Sequence, residues 1–166
     1  QSLLPAPTLR TPWVSIAGTM LPATEVGGDF FDVIELPEEI VAVAVADVTG
    51  HGVGAGILSA MAKSALHSQL QHDPAPVSVL KNLNATIYEV SGDKMFVTFA
   101  YLLFDRSKRT VTLATAGHPP LFRARKGSAR VELLRTASLG LGMRPEASFS
   151  SITLAWDPGD RFFCYT

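Results

Sequence analysis

The sequence predicts an α+β fold of layered, mostly antiparallel sheets, and three observations carry that expectation. Strand-like apolar runs stand before and after one pair of adjacent helical segments, so strands and helices segregate instead of alternating. Pro37-Glu38-Glu39 separates two strand-length runs by a tight connection, which makes those runs antiparallel neighbours. Hydrophobic residues make up 47% of the 166 residues and charged residues 17%, enough apolar material for the filled core of one domain.

Residues 1–12, QSLLPAPTLRTP, carry three prolines and no usable period, and are expected to be a lead-in segment rather than a folded unit. Ser2-Leu3-Leu4 before Pro5 reads as the last turn of a helix that continues upstream, because the residue before a proline resists helix. The domain proper is then 13–166. Trp13–Leu21 alternates loosely as a strand, Pro22–Gly28 is a loop, and Phe30–Leu36 is a second strand. Seven consecutive apolar residues, Ile40–Ala46, read as a strand covered on both faces that runs into Asp47. Glycines at 50, 52, 54 and 56 follow, where the backbone can come close to a bound group.

Ile57–Gln71 has helical spacing, with Leu58, Met61, Ala65 and Gln69 on one side, Leu66 and Leu70 widening that stripe, and Lys63, His67 and Gln71 opposite. Asp73 is placed to cap a second helix with Pro74 at its first position and a stripe of Val77, Leu80, Leu83, Ile87 and Val90. Strands are then expected over Met95–Phe104, Thr110–Thr115, Leu121–Arg125, Val131–Leu134, Ile152–Trp156 and Arg161–Tyr165. Asn82, Asn84 and the Leu139-Gly140-Leu141-Gly142 loop are given no role beyond packing and turn chemistry.

Net charge is −1 and the basic residues are scattered, apart from a modest group over Arg123–Arg130 that reads as the solvated rim of a hairpin. That balance argues against nucleic acid as a partner. The single cysteine, Cys164, excludes an internal disulfide and suits a reducing, cytoplasmic compartment. It lies in the apolar run Phe162-Phe163-Cys164-Tyr165, where a buried, inert thiol is expected. No apolar run approaches the roughly 20 residues needed to cross a bilayer, so no membrane contact is expected of this domain.

Two carboxylates sit in settings that composition does not explain. Asp29 follows Gly27-Gly28 at the start of one strand, and Asp47 ends the next. Antiparallel pairing through the Pro37 turn brings the start of the first strand beside the end of the second, so the two carboxylates should meet. Like charges repel there unless a cation joins them, and hard divalent ions such as Mg²⁺ or Mn²⁺ prefer oxygen ligands. The inference is a carboxylate metal site at that sheet end.

Gly-Gly-Asp-Phe-Phe-Asp at 27–32, Ala-Asp-Val-Thr-Gly-His-Gly at 46–52 and Ala-Gly-His-Pro-Pro at 116–120 together resemble one family. It is the SpoIIE/RsbU-like bacterial branch of the metal-dependent (type 2C) serine/threonine protein phosphatases. The resemblance covers essentially the whole chain and implies a four-layer αββα sandwich, with the helix pair on an outer face and two Mn²⁺ or Mg²⁺ ions at one end of the sheets. It implies Asp29 and Asp47 as catalytic metal ligands, Asp47 bridging both ions, with the Val48 backbone carbonyl as a further ligand. The implied reaction is hydrolysis of phosphoserine or phosphothreonine by a two-metal activated water. The implied substrate is a phosphorylated signalling partner such as an anti-sigma-factor antagonist. An upstream sensor in the same polypeptide is implied too, and its linker helix offers a route to a homodimer.

Asp32, Gly50, His51, Gly52 and His118 are candidates for a surrounding shell. Eukaryotic relatives use a His close behind the bridging Asp, but Thr49 occupies that place, so the general-acid role does not transfer. His51 is read as loop architecture or outer shell unless it donates a proton, and His118 as structural. The family places another metal-binding Asp directly after a strand ending in Tyr-Thr, and the sequence stops at Tyr165-Thr166. A last Asp, further helices and a closing strand are also outside it. The expectation is thus a C-terminally incomplete domain with weak or no metal binding and poor activity by itself. A catalytically silent, partner-binding domain is the alternative. A nucleotide cyclase is set aside, because Phe30 stands where its Gly-Gly-Asp-Glu-Phe signature has Glu.

Overall fold

The computed structural model describes residues 8–21, 27–91 and 94–166. In chain order the elements are β1 (Thr8–Arg10), β2 (Ser15–Ala17), β3 (Phe30–Leu36), β4 (Ile40–Val48), α1 (Val53–Leu70), α2 (Pro76–Ser91), β5 (Val97–Asp105), β6 (Thr110–Ala116), β7 (Leu121–Ala124), β8 (Val131–Leu134), β9 (Ile152–Ala155) and β10 (Arg161–Phe163). A five-stranded antiparallel sheet runs β3-β4-β5-β6-β9, a three-stranded one β10-β7-β8, and β1 pairs with β2.

The central strand β4 is apolar on both faces because each face meets a different layer. Ala42, Ala44, Ala46 and Val48 pack with Leu58, Ala62 and Leu66 of α1 and Leu80, Leu83 and Ile87 of α2. Val41 and Val43 point the other way, into a core shared by Leu102, Phe104, Val111 and Leu113 and by Leu121 and Leu134 of the small sheet. The layer order is therefore helix pair, large sheet, small sheet, the α+β arrangement expected. The far face of the small sheet presents Phe163, Phe122 and Leu133 in one register row, with Phe163 61% and Leu133 65% exposed. No helical layer covers that face among the described residues.

Several boundaries differ from expectation for identifiable reasons. The lead-in is not wholly irregular: Thr8–Arg10 forms β1 against Ser15–Ala17, which is all of the Trp13–Leu21 stretch that is strand. Thr11 closes this hairpin, its Oγ1 accepting from the Val14 amide at 3.0 Å. The reading of Ser2–Leu4 as helix lies outside the described residues. Helix α1 starts at Val53, inside the glycine loop, because Ala55 is already buried beneath it. Asp73 Oδ1 accepts from the Ala75 amide at 2.9 Å, so α2 begins at Pro76 rather than Pro74. Val90 is half exposed and outside the stripe, which Val79 and Asn84 join instead.

Asn84 also does more than pack. Its amide donates to the Arg144 and Pro145 carbonyls at 2.9 and 3.1 Å, and its Oδ1 accepts from the Gly142 amide at 2.9 Å. This holds the 140–145 loop over the start of β5, where Leu141 bridges Val97 through both backbone bonds.

Candidate metal centre

The β3–β4 register runs from Leu36↔Ile40 to Phe30↔Ala46, so one step further sets Asp29 across from Asp47. Side chains alternate along β4, which puts Asp47 on the same face as Val41, Val43 and Val45, between the two sheets rather than under the helices. Gly28 makes this close approach possible. A Cβ on it would lie 2.9 Å from Val48 Cβ and 3.0 Å from the Val48 carbonyl oxygen, too near for any side chain. Across the other edge of β4, Asp47 pairs with Thr98 of β5.

The electrostatics are those of two carboxylates forced together. Burial first, then a hydrogen bond with Asp29 and the Asp29 charge, push the Asp47 carboxyl up to about 6. Asp29 also accepts from the Thr166 hydroxyl at 3.0 Å. Two carboxylates with the Val48 carbonyl beside them form a hard, all-oxygen donor set, which fits Mg²⁺ or Mn²⁺ better than a softer metal. Among the described residues no cluster of three or more His, Cys, Asp or Glu side chains forms a metal cage.

The loop after Asp47 is held at its base by Thr49, whose Oγ1 donates to the Phe96 carbonyl at 3.1 Å and accepts from the Phe96 amide at 3.0 Å. Gly50 (φ 90°) and Gly52 (φ 81°) then take left-handed conformations that a side chain would resist. This makes their spacing a backbone requirement. His51 between them is exposed at the rim of a cleft of about 1190 Å³. The cleft is lined by Asp29, Val43, Val45, Phe104 and Trp156 among others, and runs between the two sheets.

Asp32 does not join this group. It faces the helices, three residues and the opposite sheet face away from Asp29. There its Oδ2 meets His67 Nε2 at 2.7 Å and Lys63 Nζ at 3.3 Å, tying β3 to α1. Helical spacing only sets Lys63 and His67 opposite the apolar stripe, and the missing signal is the buried carboxylate facing them.

His118 is buried between the sheets and its ring is held neutral, burial pulling it down to about 4 against the opposing influence of the Tyr165 backbone and Asp29. Nδ1 meets Thr98 Oγ1 at 3.0 Å, and Nε2 lies 3.7 Å from Cys164 Sγ. Burial raises the Cys164 thiol to about 11, as befits an inert side chain. Thr98 was missed in the sequence because nothing in a run of apolar strand residues marks one threonine as the partner of a distant histidine.

Comparison with known proteins follows the same lines. Residues 37–166 match the family model described as Stage II sporulation protein E (SpoIIE). Phosphoserine phosphatase RsbU of Bacillus subtilis is 27% identical over 166 residues, covering 100% of this chain and 49% of RsbU. The chain thus spans about half the length of that relative. Among solved structures, the RsbU and RsbW domains of a Mycobacterium tuberculosis protein align with a TM-score of 0.72 and 26% identity, over 86% of this chain and 39% of that one. The SiaA PP2C domain of Pseudomonas aeruginosa aligns with a TM-score of 0.71 and 23% identity, over 82% and 54%, a likeness of fold. With its fold matching PP2C domains and most of its length matching the family model, the chain belongs to the SpoIIE family.

Proposed function

We propose that this chain carries the catalytic carboxylates of a metal-dependent protein serine/threonine phosphatase. The observation that carries the reading is the placement of Asp29 across from Asp47 at the open end of the large sheet. Asp29, Asp47 and the Val48 carbonyl would hold Mn²⁺ or Mg²⁺. Bound there, the cations supply a nucleophilic water at neutral pH and offset charge on the phosphoryl oxygens.

The chain's own residues set up that chemistry. Gly28 and the left-handed Gly50 and Gly52 let the backbone close around the carboxylates, and Thr49 fixes the loop to Phe96. Cys164, held as a neutral thiol, takes no part as nucleophile. The substrate in this reading is a phosphoserine or phosphothreonine protein, such as an anti-sigma-factor antagonist in a cytoplasmic partner-switching system. Its support is that the related RsbU is named a phosphoserine phosphatase and that the Mycobacterium tuberculosis protein joins an RsbU domain to an RsbW domain. No helix of the described residues is long and apolar enough to cross a membrane.

The test is Mn²⁺-dependent dephosphorylation of a phosphoserine protein by the full-length polypeptide, wild type against Asp47→Asn. Loss of activity in the variant is expected, and retained activity overturns the reading.

A further inference from the structure

Strand β8 lies at the edge of the small sheet, and the chain stays extended beyond it. From Leu133 to Leu139 burial alternates: Leu133, Arg135, Ala137 and Leu139 are exposed, Leu134 and Thr136 buried, and Ser138 half-buried. That period of two carries the strand conformation past Leu134, the last residue paired with β7.

This extension is fixed along one side only. The Thr136 amide donates to Thr115 Oγ1 at 3.0 Å, and its carbonyl accepts from the same hydroxyl at 2.9 Å. The Ser138 carbonyl accepts from the Gly117 amide at 3.2 Å, and Ser138 Oγ donates to the Thr115 carbonyl at 2.6 Å. Every peptide here is trans, which turns a carbonyl and the amide that follows it to opposite sides. The Arg135 carbonyl and the Ala137 and Leu139 amides therefore point away from Thr115 and Gly117. No hydrogen bond within the described residues takes up any of the three. A cleft of about 390 Å³, bounded by Gly117 and His118, opens along residues 135–138. An open acceptor and two open donors at alternate residues are what another extended backbone matches.

The edge ends beside the carboxylates. A Cβ on Gly117 would lie 2.9 Å from the Gly140 amide, and one on Gly140 would lie 3.0 Å from the Phe96 ring. Phe96 in turn holds Thr49, two residues after Asp47. Leu139 and Met143 are 43% and 42% exposed at this end, although Asn84 and the Leu141–Val97 bridge hold the loop between them in place. Large apolar side chains kept in solvent on an anchored loop mark a contact surface.

We propose that the 135–139 edge is the docking strand for the phosphoprotein substrate. An extended segment flanking the phosphoserine adds to it through backbone hydrogen bonds and sets an apolar side chain against Leu139. The proposal rests on the metal-phosphatase reading of Asp29 and Asp47, and it names the form of substrate that centre takes. A phosphoserine in an extended loop or tail is accepted, and one held in a helix is refused.

The test uses the full-length polypeptide with Mn²⁺ and a phosphoserine peptide of alternating valine and threonine. Beside it runs p-nitrophenyl phosphate, which has no backbone to dock. Backbone N-methylation at every second residue gives two forms of the peptide, each blocked on one edge. One form should lose about tenfold in kcat/KM, through KM, and the other should keep the parent value. Leu139→Asp should raise KM for the parent peptide about tenfold, lowering peptide hydrolysis relative to p-nitrophenyl phosphate by that factor. Ala137→Pro, which removes one edge donor, should do the same; Leu139→Asp, an exposed change, stands if that variant fails to fold. Equal effects of both N-methyl forms, a wild-type KM in Leu139→Asp, or hydrolysis of p-nitrophenyl phosphate with none of the peptide overturns the proposal. So does a concentration-dependent dimer that Leu139→Asp abolishes, because a second copy then holds the edge. The metal reading is judged separately by Asp47→Asn. Loss of both substrates in that variant leaves the metal reading standing where the docking strand has failed, and wild-type hydrolysis by it overturns the metal reading.

Discussion

The Thr166 hydroxyl donates to the Asp29 carboxylate at 3.0 Å, joining residues 137 positions apart in the chain. The exit from β10 is thereby brought to the carboxylate pair, beside the place where β3 begins and β4 ends. Three chain segments converge on one sheet end, and each contributes a polar group to it.

Asp47 is held at a cost to the metal-free fold. Its folded carboxyl titrates near 6, above the ordinary 3.8, so the folded state binds the extra proton and stability falls as pH rises from about 4 through 6. Asp47→Asn should stabilise the metal-free chain at pH 7 by about 1 kcal/mol, a figure reduced for solvent screening. Asp29→Asn should lower the Asp47 carboxyl only in part, because burial is the larger cause. Chemical denaturation and carboxyl-carbon NMR titration check the two outcomes.

Asp105 behaves in the opposite sense. Burial alone would raise its carboxyl, but the Lys108 ammonium at 2.7 Å, the Lys108 amide at 2.9 Å and the Ser107 hydroxyl at 2.7 Å outweigh it and bring it to about 2. The unfolded chain takes up the proton first, so this stabilisation is complete above about pH 4 and is lost as pH falls through 2. Asp105→Ala should cost about 1–2 kcal/mol at pH 7 and flatten stability across that acid window. Melting temperatures between pH 2 and 7, compared with wild type, give the answer.

Arg123 does not lie on the solvated rim expected of it: it is 2% exposed in the small sheet, where its guanidinium donates to Asp160 Oδ2 and to the Ala155 carbonyl, both at 2.6 Å, above the Phe162 ring. Removing Asp160 leaves the buried guanidinium only the Ala155 carbonyl and the more distant Glu132 carboxylate at 3.8 Å, so Asp160→Ala should destabilise by about 3 kcal/mol. Arg123→Met, which removes the buried charge and keeps the bulk, should cost clearly less than Asp160→Ala. Urea denaturation of the two variants side by side is the check.

The parts of the fold with strong local pattern were legible in the sequence. Phe30–Leu36 and Val131–Leu134 are strands with the expected bounds, and the β3–β4 pairing followed from Pro37. Where Asp29 meets Asp47 was legible too, because antiparallel register is set by a turn only three residues long. Residues whose partners come from distant segments were not. Asp32 sits in the same motif as Asp29, yet the alternation of a strand sends it to Lys63 and His67 on the helix side. Asn84 is given only ordinary packing by the sequence because the loop it holds lies 58 residues further on. Glu38 and Glu39 adopt left-handed backbone angles (φ 60° and 57°) with no glycine to announce them.

The central claim is that Asp29 and Asp47 together hold a divalent cation, and free Mn²⁺ measured by electron paramagnetic resonance addresses it most directly. The chain titrated into Mn²⁺ at pH 7.5 (about neutral, above the Asp47 carboxyl) should remove the free-ion signal weakly but saturably. Asp29→Asn and Asp47→Asn should each abolish that uptake. Uptake in Asp47→Asn equal to that of the wild-type chain would contradict the account.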